Sequence, residues 1–295
     1  MEDFKQRRGL LAALAVSPWL LACVRPPLRQ PGEAPLSRQL AELEHNAGGR
    51  IGVAALEVDS GRRVAYRADE RFPMCSTFKL LLVGAVLQLS AAQPDLLYRH
   101  VNYQREQLLR YSPITEQYAE QGMSVKDLCD AAMRFSDNTA ANLLLGLLGG
   151  PEAVTRFARA LGDGLSRLDR IEPELNSAAP GDPRDTTTPA AMVSNLNSLL
   201  FSSLLPERQR VLLRDWLLNS TTGNLRIRAG LPAEWRVGDK TGSGGNGATN
   251  DVAVAWRPGK SPLLLAVYYW GSSALPDERN AVVAAAARVV VAEFA

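Results

Sequence analysis

The chain has 295 residues, 46% of them apolar, and 33 basic against 31 acidic side chains leave a net charge of +2. That length supports one large or two closely packed domains, and the near-neutral balance gives no footing for a nucleic-acid partner, since no basic stripe carries interleaved aromatics. Only two histidines occur, His45 and His100, outside any H-x-H or H-E-x-x-H pattern, so neither a metal site nor a cofactor is expected.

At the N-terminus Lys5, Arg7 and Arg8 precede an apolar stretch, residues 9–22, that Pro18 interrupts. It is too short for a membrane span, so residues 1–23 are expected to be an export signal. Leu20-Leu21-Ala22-Cys23 is similar to a bacterial lipobox, which makes Cys23 a candidate for lipidation and membrane anchoring; the Arg7-Arg8 pair is also similar to a twin-arginine signal. Residues 24–35, with Pro26, Pro27, Pro31 and Pro35, are expected to be an extended tether.

Leu36, Leu40 and Leu43 then form a helical stripe stopped by Gly48-Gly49. Residues 51–58 and 64–68 flank Asp59-Ser60-Gly61, a β-hairpin pattern. From Ser76 an apolar run predicts a helix through Leu89. Ser124 caps a further helix ending near Phe135, another spans 139–148 and stops at Gly149-Gly150, and Pro151 opens the next. Residues 164–188 show no sustained period and predict a long loop, which inside a compact domain is usually functional. Helices resume at Pro189 and Pro206, residues 234–241, 250–256 and 263–270 predict strands, and a last helix begins near Pro276.

Strands therefore lie at both ends with helices between. The expected fold is α/β plus α: an antiparallel sheet flanked by the first and last helices, with an all-helical domain inserted and the active site in the cleft between them. The expected partition is 36–73 with 218–295 for the α/β part and 74–217 for the helical part. Cys75 and Cys129, both in apolar helical surroundings, are expected to be unpaired thiols.

Ser76 and Lys79 stand one helical turn apart on one face, close enough for the amine to take the hydroxyl proton. Ser76 also falls near a helix start, where free N–H groups can meet a developing oxyanion. Downstream come Ser136-Asp137-Asn138 between two helices, Glu172-Pro173-Glu174-Leu175-Asn176 in the long loop, and Lys240-Thr241-Gly242-Ser243 on a strand. This ordered set, with Tyr111-Ser112-Pro113 and Arg184-Asp185-Thr186-Thr187, resembles the class A serine β-lactamases, most closely their extended-spectrum and chromosomal Gram-negative branches.

The resemblance covers the chain from about Leu36 onward and implies a role for each residue. Ser76 is the nucleophile, and the N–H groups of Ser76 and Ser243 form the oxyanion hole. Ser136 relays a proton to the departing ring nitrogen, and Glu172 with Asn176 activates the deacylating water. Whether Lys79 or Glu172 is the base in acylation stays open. Asn138 holds the acylamido group, Tyr111 flanks the site, and Lys240, Thr241, Gly242 and Ser243 meet the substrate carboxylate. Where many members carry an Arg just after Lys-Thr-Gly, this chain has Ala248-Thr249-Asn250, and Arg226 matches the position from which others supply the guanidinium. Cys75 lacks the partner that carbapenem-hydrolysing members carry, because Gly244 stands there, so carbapenem hydrolysis is not expected. The implied protein is an exported, monomeric hydrolase of penicillins and cephalosporins. Two alternatives stay open: a penicillin-binding peptidase that deacylates slowly, against which Glu172 and Asn176 speak, and a tethered sensor that stays acylated, for which no signalling segment is present.

Overall fold

The computed structural model describes residues 33–294. The export signal, Cys23 and most of the tether lie outside the described residues. The chain runs α1 (Glu33–Ala47), β1 (Arg50–Glu57), β2 (Arg63–Tyr66), β3 (Phe72–Pro73), α2 (Phe78–Ala92), β4 (His100–Val101) and β5 (Met123–Ser124). It continues through α3 (Val125–Arg134), α4 (Asn138–Leu148), α5 (Pro151–Ala160), β6 (Thr186–Thr187), α6 (Pro189–Phe201) and α7 (Glu207–Leu218). Strands β7 (Arg236–Ser243), β8 (Thr249–Trp256) and β9 (Leu263–Trp270) and helix α8 (Pro276–Ala292) complete it.

Five strands form one antiparallel sheet in the order β2-β1-β9-β8-β7, so the two ends of the chain meet at the β1–β9 pair. Strand β9 is apolar throughout because both its faces are buried, and the pleat divides its side chains between two cores. Leu263, Leu265, Val267 and Tyr269 pack with Leu40, Ile51 and Val290 under the terminal helices. Leu264, Ala266 and Tyr268 join the larger core that includes the helical segments, with α2 buried along most of its length at its centre.

Three details differ from the expectations. Helix α1 begins at Glu33, so residues 33–35 are helical rather than tether. Pro35 sits in the first turn, where an N–H has no intrahelical partner and its loss costs nothing. Ser76 lies on a 3-10 turn, Cys75–Thr77, that precedes α2 rather than in an α-helical first turn. The long loop contains a 3-10 turn, Glu174–Ser177, and strand β6, which pairs with β3 and fastens the loop's end beside the segment leading to Ser76. Among the described residues Cys75 and Cys129 are both unpaired and buried, as expected, and burial pushes the Cys75 thiol up to about 12.

Candidate active site

The turn carrying Ser76 is fixed from several sides. Thr77 Oγ1 lies 3.0 Å from the buried Tyr268 hydroxyl and 2.8 Å from Met74 O. Asn250 Nδ2 donates to Pro73 O at 2.8 Å. Strand β7 approaches so closely that a Cβ at Gly242 would stand 2.7 Å from Met74 O, which accounts for glycine at that position. The missing side chain at Gly242 thus lets the Lys-Thr-Gly strand lie directly against the turn that carries the nucleophile candidate.

Around Ser76 Oγ the expected groups converge. Lys79 Nζ donates to it at 3.0 Å, and Glu172 Oε1 lies 3.4 Å away. Lys79 and Glu172 form an ion pair at 3.1 Å with both side chains fully buried. The ammonium also donates to Ser136 O and Asn138 Oδ1, each at 2.7 Å. Burial lowers the Lys79 pKa from its ordinary value, and the Glu172 carboxylate opposes that shift. Glu172 itself is held by Asn176 Nδ2 on Oε2 and by Asn142, whose side chain accepts from Glu172 N at 2.9 Å and donates to Glu172 O at 2.8 Å. Behind it Asp185, with φ of 56°, receives the Arg170 guanidinium and two backbone N–H groups, closing the base of the loop.

The opposite wall is cationic. Lys240 Nζ donates to Ser136 Oγ at 3.1 Å, and Ser136 is held with φ of 58°, which presents its hydroxyl between the two lysines. Arg226 Nη2 donates to Ser243 Oγ at 2.6 Å, its Nη1 to Gly242 O and Asn250 O, and its Nε to Asn280 Oδ1. These groups open on a cavity of about 450 Å³ lined by Ser76, Ser136, Asn138, Asn176, Thr241, Gly242, Ser243 and Arg226, with Tyr111 at its rim, 57% exposed. The catalytic and substrate-binding residues predicted from the sequence therefore lie in or directly behind one cleft, while Cys23 lies outside the described residues.

A sequence model described as the β-lactamase enzyme family matches residues 35–294. The chain belongs to the class A β-lactamases. It is 52% identical over 253 residues to β-lactamase AST-1 of Nocardia asteroides, covering 86% of this chain and 82% of that protein. It is 48% identical to β-lactamase CTX-M-25 of Escherichia coli, covering 96% and 97% of the two chains. Among solved structures, the class A β-lactamase of the last common ancestor of Gram-negative bacteria is 57% identical, with a TM-score of 0.87, and covers 89% of this chain and 100% of that one.

Several residues of this β-lactamase site were not singled out from the sequence. Asn142 stands four residues after Asn138, one turn along the same face of α4, and that i,i+4 pair of amides at a helix start was a usable signal. Asp137, part of the Ser136-Asp137-Asn138 stretch but given no role of its own there, caps α4 by accepting from Ala140 N at 2.8 Å. Thr222 lines the cleft with its hydroxyl 2.6 Å from that of Thr241, and only the fold brings it there. Deeper still, Asp251 is fully buried and pushed up to about 8 by burial and by Asp239. Burial first, and then the Lys79 charge, push Lys240 down to about 7.

Proposed function

We propose that this β-lactamase opens penicillins and cephalosporins through an ester on Ser76 that water, activated by Glu172, then hydrolyses. Ser76 Oγ attacks the lactam carbonyl carbon while its proton passes to the Lys79–Glu172 pair, both members of which lie within hydrogen-bond reach. The carbonyl oxygen becomes an oxyanion facing the N–H groups of Ser76 and Ser243. As the C–N bond breaks, the Ser136 hydroxyl gives its proton to the ring nitrogen, helped by the Lys79 and Lys240 charges on either side. Asn138 holds the acylamido group beside Tyr111, and Lys240, Thr241, Ser243 and Arg226 hold the carboxylate.

The observation that carries this reading is the clamping of Glu172. A carboxylate buried 3.4 Å from the nucleophile, bonded by Asn176 and carried on a backbone that Asn142 clamps at both its N–H and its carbonyl, is built to act on something, and Asn176 Oδ1 beside it is a buried acceptor without a protein partner among the described residues. That arrangement suits a water held for attack on the ester. Purified protein should turn over benzylpenicillin and a chromogenic cephalosporin in the steady state. A burst of one equivalent followed by no further product would replace this reading with a penicillin-binding one.

Arg226→Ala should raise KM for substrates bearing the ring carboxylate, because a charge-assisted bond made in both ground and transition states is lost. Such a bond contributes about 1.5–3 kcal/mol, or roughly tenfold to a hundredfold in kcat/KM. Kinetics unchanged from wild type would leave Arg226 with a structural role only.

Lys240 sets a pH dependence. The group binds carboxylate only as the ammonium, and burial favours the neutral amine. In the free enzyme kcat/KM should therefore fall as pH rises through about 7, where Lys240 loses its proton. In kcat the limb should lie higher, since bound carboxylate favours the charged form. Lys240→Arg should flatten the limb, because a guanidinium stays protonated; an alkaline limb that persists in that variant assigns it to another group.

For localisation we propose export, with Cys23 as a lipid anchor at the end of a Leu-Leu-Ala-Cys run. The full-length protein should partition with membranes and be released by Cys23→Ala, and a wholly soluble wild type removes the anchor.

A further inference from the structure

The long loop has a second face, turned away from the catalytic cleft, and a cavity of about 340 Å³ lies there between residues 178–186 and the start of β1 with the end of β9. It shares no lining residue with the catalytic cleft. Its walls are chiefly apolar: Pro73, Ala178, Ala179, Pro183 and the ring of Trp270. The ring is pinned by its Nε1, which donates to Ala178 O at 3.0 Å, and the Arg50 guanidinium lies 5.8 Å from its centre and 5.1 Å from that of Phe72.

Four arginines line the cavity, and three have carboxylate partners: Arg50 with Glu70, Arg170 with Asp182 and Asp185, and Arg184 with Asp182. Arg71 has none among the described residues. Its Nη1 donates to Leu165 O at 2.8 Å and Thr186 Oγ1 at 3.0 Å, which anchors that end of the guanidinium while leaving its other N–H groups without a protein acceptor among the described residues. An exposed guanidinium anchored through one nitrogen and without a carboxylate partner, lining the same cavity as an apolar wall and a fixed indole, suits a small-ligand site, a mostly apolar cavity of about 300–1,000 Å³ with a few oriented polar groups.

We propose that this cavity is a second binding site, selective for compact amphipathic monoanions, whose apolar body lies against Trp270 and the Pro/Ala wall and whose carboxylate is taken by Arg71. The probe is 2-naphthoate, titrated calorimetrically into the full enzyme with and without a boronic acid occupying the catalytic cleft. One saturable event is expected in both conditions. Arg71→Gln should weaken it roughly tenfold or more, and Ala179→Phe, which fills the cavity without touching a charge, should abolish it. Retained cephalosporin hydrolysis in both variants reports that they are folded. Neutral 2-naphthamide should bind at least about tenfold more weakly, and inorganic phosphate should not displace the naphthoate. The proposal is overturned by the absence of saturable binding below about 1 mM, by displacement with the boronic acid, or by affinities unchanged in both variants. Equal binding of the amide, or competition by phosphate, overturns it as well.

Discussion

Glu172→Ala should acylate and then stall. Mixed with benzylpenicillin, the variant should show in intact-protein mass spectrometry an adduct that persists, while the wild-type adduct clears. The reason lies in the two distances around Ser76 Oγ, 3.0 Å to Lys79 Nζ and 3.4 Å to Glu172 Oε1. Removing the carboxylate leaves Lys79 beside the nucleophile, so ester formation continues, more slowly if Glu172 shares that proton transfer. Deacylation has no such second base: Asn176 can orient a water but cannot accept its proton. General-base catalysis contributes roughly 10²–10⁴-fold, and the deacylation rate should fall by that factor. Ser76→Ala fails differently, forming no adduct, because the attacking oxygen is gone. Glu172→Gln, which keeps the shape of the buried site, should behave like the alanine variant if the lost function is proton acceptance rather than packing. A wild-type adduct as long-lived as that of the variant would end the deacylating role.

The parts of this enzyme legible in the sequence are those determined within a few residues. Ser124 accepts from Asp127 N as a cap does, Gly149 ends α4 with φ of 88°, and Pro151 opens α5. Strand β9 could be bounded to the residue because its apolar run is walled by polar turns on both sides. The site motifs were legible for a different reason, their ordered co-occurrence. What the sequence left hidden depends on distant partners. The 3-10 turn under Ser76 exists because Tyr268, Asn250 and Gly242, all more than 160 positions away, hold it there. The Thr222–Thr241 contact requires the chain before Arg226 to return beside β7. Pro35, read as tether, is compatible with a helix start, and docking of Leu36 and Leu40 into the sheet core decides between the two. Such choices are made by burial, which no local pattern encodes.

Asp137→Ala should be the most destabilising single change in the site, although the residue touches no substrate in the proposed mechanism. Its carboxylate is fully buried and accepts from Ala140 N at 2.8 Å, Ile114 N at 3.0 Å, Thr115 N at 2.9 Å and Thr115 Oγ1 at 2.9 Å. It thereby caps α4 and ties that helix to the 110–115 segment. Alanine leaves the buried Thr115 and Ala140 N–H groups, the part-buried Ile114 N–H and the Thr115 hydroxyl without their acceptor. Each such group costs about 1–3 kcal/mol alone, but they share one site and relax together, so about 3–5 kcal/mol is expected in total. For a chain of this size that is roughly 6–20 °C in Tm, measured by thermal unfolding followed by circular dichroism. Asp137→Asn retains one acceptor oxygen and should lose less. Activity should fall in parallel, because Ser136 and Asn138 flank the lost carboxylate and the left-handed backbone at Ser136 persists only where its surroundings over-determine it. A double-mutant cycle with Thr115→Val separates the hydroxyl contact from the backbone ones. If Asp137→Ala melts within about 2 °C of wild type, the buried donors have found other acceptors and the carboxylate is not what holds this corner of the cleft.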